Sequence, residues 1–190
     1  AVVDAVLVCI MEHGMTPSAI ASRVTYLGAP ESLQGAVAAG LLGAGSRFVG
    51  TADQAAVLLQ DIVKQPDGER KNKAKEIAKE HHSAKKFLPG YGHPIHINGD
   101  PRVDALATIA KENGANGEYI EAMYLLGDAI KEISGKNIVI NVNATIGAVL
   151  LEASMPPSIA RGFNIIARCA GLVGHIYEEQ SEPAGYKIWQ

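Results

Sequence analysis

The sequence predicts an all-α fold. Three observations carry that prediction: apolar residues recur at helical spacing, no stretch sustains an alternation of period two, and Gly, Pro and capping residues cut the chain into about nine helix-length segments. With 190 residues and 47% hydrophobic composition the chain can bury a substantial core, in one large domain or two small ones. No internal repeat is visible.

Residues 1–11 read as a buried helix that stops at Gly14. Thr16-Pro17 is a helix entry, with Thr as N-cap and Pro at the first helical position, and that helix reaches about Leu27. Gly28-Ala29-Pro30 breaks the chain before a helix over 31–44 that carries Gly35, Ala39, Gly40 and Gly43. Glycine costs about 1 kcal/mol in a helix interior, so these small residues imply a close helix–helix approach, in the core or across a dimer. Thr51-Ala52-Asp53-Gln54 fits a capping box for a helix ending near Pro66-Asp67-Gly68. Residues 69–86 read as a lysine-rich helix, and 87–101 as an irregular stretch rich in Gly and Pro. A helix over 102–112 stops at Asn113-Gly114. Another over 118–133 is amphipathic, with Ile120, Met123, Tyr124, Ala129 and Ile130 on its apolar face, and Gly135 ends it. Ile138 to Val142 is a short β-branched run, either a strand or the start of a buried helix. Residues 144–154 are helical up to Met155-Pro156-Pro157, 158–179 form a long helix, and the last residues read as loose. On this reading 51–154 is a small helical domain set between two parts, 1–50 and 155–190, of a larger one.

Composition excludes some classes of function. The net charge is −3, without the basic surplus of a nucleic-acid binder. The one basic block, Arg70 to Lys86, is interrupted by Glu76 and Glu80 at helical spacing, which suits a solvated helix face. No apolar run reaches the length of about 18 residues expected of a membrane span. Cys9 and Cys169 lie in apolar surroundings and read as buried free thiols, which points to the cytoplasm. The chain opens without Met on an apolar stretch that reads as mid-helix and carries Asp4, so no signal peptide is seen and an N-terminal segment is expected to be missing.

Six histidines supply candidates for proton chemistry near neutral pH. His81 and His82 lie in the charged helix and read as solvated. His175 on the long C-terminal helix reads as a packing residue, and His13 as a partner of a helix C-terminus. His93 is the best candidate: it sits in Leu88-Pro89-Gly90-Tyr91-Gly92-His93-Pro94, where glycines free backbone amides to meet a ligand. A His93–His96 metal pair is the weaker alternative, because Pro94 opposes a helix there and no cysteine or acidic cluster joins them; no metal is expected. Arg102 follows Asp100-Pro101 at a helix start, where an arginine and the helix dipole favour a carboxylate ligand. A surface pair with Asp100 or Asp104 is the plainer reading. Arg168 lies inside the apolar Ile165-Ile166-Ala167-Arg168-Cys169-Ala170-Gly171 and needs a counter-charge, from a ligand carboxylate or from an internal Asp or Glu.

Leu88 to His93, followed by Asp100-Pro101-Arg102, resembles the signature of the citrate synthase and citryl-CoA lyase superfamily: Gly-aromatic-Gly-His, then Asp-Pro-Arg. Glu12-His13-Gly14 is similar to that family's Asp-His segment. Gly45-Ser46-Arg47-Phe48 resembles the Gly-x-Arg-Phe element of citryl-CoA lyases, including the lyase module of ATP-citrate lyase. Asn141-Val142-Asn143 matches the family's Asn-Val-Asp, Arg168 falls where the family has a substrate arginine, and Gly174-His175 is also similar to the lyase module. The resemblance covers nearly the whole chain and is most specific from His93 to Arg102.

The resemblance implies an all-helical homodimer with a large domain and a small mobile one. It implies coenzyme A, as an acyl-CoA co-substrate, and a di- or tricarboxylate; the reaction would make or break the bond between an acyl-CoA and a 2-oxo acid such as oxaloacetate. Carried over, His93 and Asn143 would be catalytic, and His13, Phe48, Arg102 and Arg168 would bind substrate. Leu88, Pro89, Gly90, Tyr91 and Gly92 would pack on the CoA adenine. Phe48 in place of a synthase histidine points to lyases. Asn143 departs from the family's proton-moving aspartate, and Ile97 and Glu182 stand where further arginines are expected. A catalytically silent CoA-binding paralogue, regulatory or serving a partner subunit, is the alternative function, and a helical scaffold with relic motifs is the third.

Overall fold

The computed structural model describes residues 1–45 and 51–190. Ten helices order the described residues: α1 (Val2–Ile10), α2 (Pro17–Gly28), α3 (Leu33–Leu42), α4 (Ala52–Val63), α5 (Asp67–Ser83), α6 (Pro101–Glu112), α7 (Glu118–Ser134), α8 (Val142–Glu152), α9 (Pro157–Ser181) and α10 (Gly185–Trp189). The chain divides into two compact units. The first holds Ala1–Val6 and Thr51–Arg161, and the second Leu7–Gly50 and Gly162–Gln190.

Helix α8 is the centre of the first unit. Helices α4, α6 and α7 pack on it, and α5 packs on α7. Every residue from Ala144 to Leu151 is buried, and none is charged. A helix apolar on all sides is one that is surrounded. At Gly147 a Cβ would lie 2.9 Å from the Ala52 carbonyl oxygen and 3.0 Å from the Ala56 nitrogen, so the α4 backbone lies directly against α8. Helix α5 buries only the stripe Ala74, Ile77 and Ala78. Its charged face is solvated, with Lys73 paired to Glu76 at 3.0 Å and Lys75 to Glu132 of α7 at 2.7 Å.

Helix α7 begins after Gly117, which has no side chain to cap it. The cap comes from the end of α8: the Glu152 carboxylate accepts the N–H groups of Gly117 (3.0 Å), Tyr119 (2.8 Å) and Ile120 (3.3 Å). A carboxylate there satisfies orphan donors and opposes the positive end of the helix dipole.

In the second unit α2 packs on α3 and α10. Ala19, Ala36 and Val37 meet Leu172 and Ile176 of α9, with Tyr26, Leu41 and Cys169 around them. Gly40 serves the core rather than a dimer contact. A Cβ there would lie 2.9 Å from the Ser18 carbonyl oxygen, and the Ser18 hydroxyl donates to the Gly40 carbonyl at 2.6 Å. Thr16 caps α2 as expected, accepting from the Ala19 N–H at 3.3 Å.

Three expectations are corrected and one open alternative is decided. Thr51 precedes α4 but makes no side-chain cap, so the capping box does not form; Asp53 Oδ1 accepts the Gln54 N–H at 2.8 Å. Of the two readings of the 138–142 run, the buried helix start holds, since α8 begins at Val142, and no strand forms among the described residues, where the run pairs only through a single antiparallel bridge between Ile140 and Tyr91. The C-terminal residues are not loose: Glu179 accepts the N–H groups of Ala184 (3.0 Å) and Gly185 (2.7 Å), which nucleates α10. Cys9 and Cys169 are half-buried rather than fully buried. Among the described residues no helix is long and apolar enough to cross a membrane.

Replacing Glu152 by Ala strips the α7 cap. The expected loss is about 1–2 kcal/mol of stability, read as a lower urea midpoint with an unchanged slope.

Candidate active site

In the first unit three segments converge: the loop before His93, the start of α6 and the start of α8. Gly90 has φ +86°, a conformation that disfavours any side chain, and a Cβ there would come within 2.6 Å of the Ala144 Cβ. Glycine therefore lets the loop lie flat on α8. Leu88, Pro89, Gly90 and Tyr91 are buried and Gly92 half-buried. The Tyr91 hydroxyl donates to the Met123 carbonyl of α7 at 2.8 Å, and its ring is 1% exposed. Burial pushes its pKa far up, and the Tyr91 ring anchors the loop in the core.

Asn141 joins this loop to α8. Its N–H donates to the Gly90 carbonyl at 2.9 Å, its side-chain amide to the Gly92 carbonyl at 2.8 Å, and its Oδ1 accepts the Asn143 N–H at 2.9 Å. Asn143 thus sits in the first turn of α8, half-buried, with its backbone fixed by an N-cap. Asp100 caps α6 and also reaches α8. Its side chain is fully buried and accepts from Arg102 N (3.1 Å), Arg102 Nε (2.8 Å), Arg102 Nη2 (2.8 Å) and Val142 N (3.0 Å). Burial pushes the Asp100 pKa up, but the Arg102 guanidinium and these donors outweigh it and hold the carboxyl below its ordinary value. The plainer reading of Arg102 holds for its partner, Asp100, although the pair is buried rather than superficial; Asp104 instead accepts the Tyr124 hydroxyl at 2.9 Å.

His93 is half-buried, and its Nδ1 accepts two backbone N–H groups, from Ile95 (3.0 Å) and His96 (2.9 Å). A ring nitrogen that accepts carries no proton, so the neutral imidazole has its N–H at Nε2. The His96 ring lies against it, with centroids 4.5 Å apart.

The second unit carries His13 and Arg168. His13 is half-buried in the turn after α1, next to Gly14. Arg168 is 4% exposed; its Nη1 donates to Thr16 Oγ1 at 3.3 Å, and its Nε has no hydrogen-bond partner. Burial lowers the Arg168 pKa, opposed by the field of Glu12. Among the described residues the guanidinium thus has the field of Glu12 but incomplete hydrogen bonding. Phe48 lies outside the described residues.

Sequence reasoning missed the group beside Arg168. Arg23, 3% exposed, donates to Glu179 at 2.8 Å, to Glu178, and to His175 Nδ1 from Nε (3.2 Å) and Nη2 (3.1 Å). His175 therefore lies in a charged network instead of simple packing. A signal was present: His175 and Glu179 are four apart on α9, flanking the core residues Leu172 and Ile176. Asp100 and Asn141 were read only as neighbours of other residues.

The helical fold and these residues define a citrate synthase-like protein. A family model described as Citrate synthase, C-terminal domain matches residues 1–189, and the chain belongs to that family of enzymes. Citryl-CoA lyase from Hydrogenobacter thermophilus is 35% identical, with a TM-score of 0.82 over 94% of this chain and 68% of that one. ATP citrate lyase from Methanothrix soehngenii, solved with citrate and coenzyme A, shares the fold at 23% identity and a TM-score of 0.79, covering 95% of this chain and 31% of that one. The ATP-citrate synthase beta chain protein 2 of Arabidopsis thaliana is 26% identical over 192 residues, 91% of this chain and 31% of the relative's length.

Asp100→Asn leaves Arg102 facing a neutral amide and is expected to cost about 3 kcal/mol, the low end for breaking a buried pair, since Arg102 is partly solvated. Because the native Asp100 pKa is lowered, the wild-type advantage is full above about pH 4 and is lost as pH falls through the lower native value. Urea titrations of both proteins across that range check magnitude and sign.

Proposed function

We propose that this protein catalyses acyl-CoA carbon–carbon bond cleavage or condensation of the citryl-CoA lyase type, with oxaloacetate or a related 2-oxo acid as the second reactant. The observation that carries this reading is the convergence, in the first unit, of the glycine loop with His93, the Asp100–Arg102 pair and Asn143. Leu88 to Gly92 would receive the coenzyme A moiety through backbone groups. Arg102, Arg168 and His13 would receive the oxygens of the di- or tricarboxylate, and the buried Arg168 Nε supplies the demand for such an anion.

In cleavage the substrate hydroxyl passes its proton to solvent water as its oxygen becomes an oxo group. The bonding pair passes to the α-carbon of the thioester as an enolate, and that carbon then takes a proton from water. His93, with its proton at Nε2, acts by donation: it stabilises charge on the reacting oxygen, and in condensation it polarises the same oxo group. Asn143 at the start of α8 donates to the enolate or thioester oxygen but moves no proton. The reading includes a homodimer, supported by exposed apolar side chains of the second unit such as Leu42 (89%) and Tyr177 (72%). It also includes a cytoplasmic setting.

The test is oxaloacetate release from citryl-CoA by purified protein, coupled to NADH oxidation. Release above background is expected, with His93→Ala lowering it roughly 10²–10⁴-fold; no release by the native protein, or an unchanged rate in the variant, sinks the reading. Light scattering of the eluting protein should give twice the chain mass, and a monomer would remove the dimer from the proposal.

A further inference from the structure

The charged network of the second unit ends on the turn that holds His13. Glu12 Oε1 accepts the Gly14 N–H, so the carboxylate brackets His13 from both sides in sequence. Glu12 Oε2 lies 2.7 Å from His175 Nε2, an oblique contact rather than a straight hydrogen bond. Behind it the His175 ring is 8% exposed and takes two guanidinium N–H contacts from Arg23 on Nδ1. Guanidinium only donates, so Nδ1 must carry the lone pair and Nε2 the proton. The tautomer of His175 is thereby set by Arg23, and Arg23 is itself held by Glu179, whose other contacts are the N–H groups that open α10. The turn is seated from the α9 side as well: a Cβ at Gly171 would lie 2.1 Å from the Met11 carbonyl oxygen, so α9 presses on the residue just before Glu12.

The geometry points to His175 as a positioning residue: aimed by Arg23, its Nε2 edge lies 2.7 Å from the Glu12 carboxylate and orients it by electrostatic attraction, and Glu12 fixes the backbone turn that presents His13. The purpose of that placement rests on the reading that His13 receives a substrate oxygen. Glu12 gains a second task, since its field is the one that opposes the desolvation of Arg168. Loss of the His175 contact therefore frees the turn and alters the potential at Arg168 together. The groups facing His175 are Arg23 from α2, Glu12 from the preceding turn, and Arg168 and Glu178 from α9. Burial first, then Arg23 and Arg168, keep the ring neutral against the pull of Glu12. Protonation at Nδ1 would set a cation against the Arg23 guanidinium, so the arrangement persists above the ordinary histidine range of about 6.5 and fails as pH falls through the lower native value.

The experiment compares native protein with His175→Phe, which keeps volume and removes both nitrogens, with His175→Gln, which keeps an acceptor and a donor, and with Glu12→Gln at the half-exposed end of the chain of contacts. Imidazole ¹⁵N–¹H spectra report His13 directly, and calorimetry reports binding of oxaloacetate and, separately, of coenzyme A. The expected result is displaced His13 signals and about tenfold weaker oxaloacetate binding in His175→Phe and Glu12→Gln, unchanged coenzyme A binding, and recovery of most of both in His175→Gln. Unmoved His13 signals in folded His175→Phe, or in Glu12→Gln where the former does not fold, overturn the proposal. If native protein binds no oxaloacetate while His13 still responds to both changes, the positioning stands and the functional reading fails. If oxaloacetate binds equally to native protein and both variants, the positioning fails and the functional reading stands.

Discussion

Asp100 is the group on which the first unit's site depends. Taking an isolated carboxylate out of water costs several kcal/mol even after relaxation, and this side chain is fully buried. Four N–H donors offset that cost, three from Arg102 and one from Val142. Those donors belong to the first turns of α6 and α8, so satisfying one charge brings two helix N-termini together. Each N-terminus also offers a positive potential to a carboxylate. The buried anion is thus what makes a shared electropositive corner, with Arg102 and Asn143 on it, energetically tolerable.

The two arginines singled out from sequence are solved in opposite ways. Arg102 has a bidentate carboxylate within its own motif and needs nothing else to be stable. Arg168 has only a long contact to Thr16 and a Glu12 carboxylate acting through its field. A paired arginine is oriented, whereas an under-paired buried one raises the affinity of its surroundings for an anion.

Most helices were legible because their signals are local. Thr16-Pro17 and Asp100-Pro101 announce α2 and α6 by cap chemistry, and the small residues of α3 announce a close approach that Gly40 makes. The failures lie where a distant group decides. Helix α7 is capped by Glu152 from another helix, and α10 opens where Glu179 of α9 meets its first N–H groups. The 138–142 run has β-branched residues but one pairing partner, Tyr91, so propensity had nothing to propagate along. Of the candidate site, His93 and Arg102 were singled out from local sequence and Asn143 through the family resemblance, while Arg23 and Glu12 were not, since each looks solvated until the partner from α9 is known.

The donor inventory of the first unit finally constrains what its chemistry can be. His93 spends Nδ1 on two backbone N–H groups, so in its neutral ring Nε2 carries the proton and donates. Asn143 is an amide, which donates hydrogen bonds and takes up no proton. Both residues offer donors on a backbone held by hydrogen bonds. Preorganised donors lower a barrier by stabilising oxygen that becomes negative, without reorganising as charge develops. In the proposed chemistry charge develops on the hydroxyl oxygen and on the thioester oxygen, and such donors stabilise both. Each direction also needs a proton acceptor, for the hydroxyl proton in cleavage and for the α-proton in condensation, and neither of these side chains is one. Forward and reverse reactions pass through the same transition state, so the two donors serve cleavage and condensation alike, and the proton acceptor for either direction is water or another group.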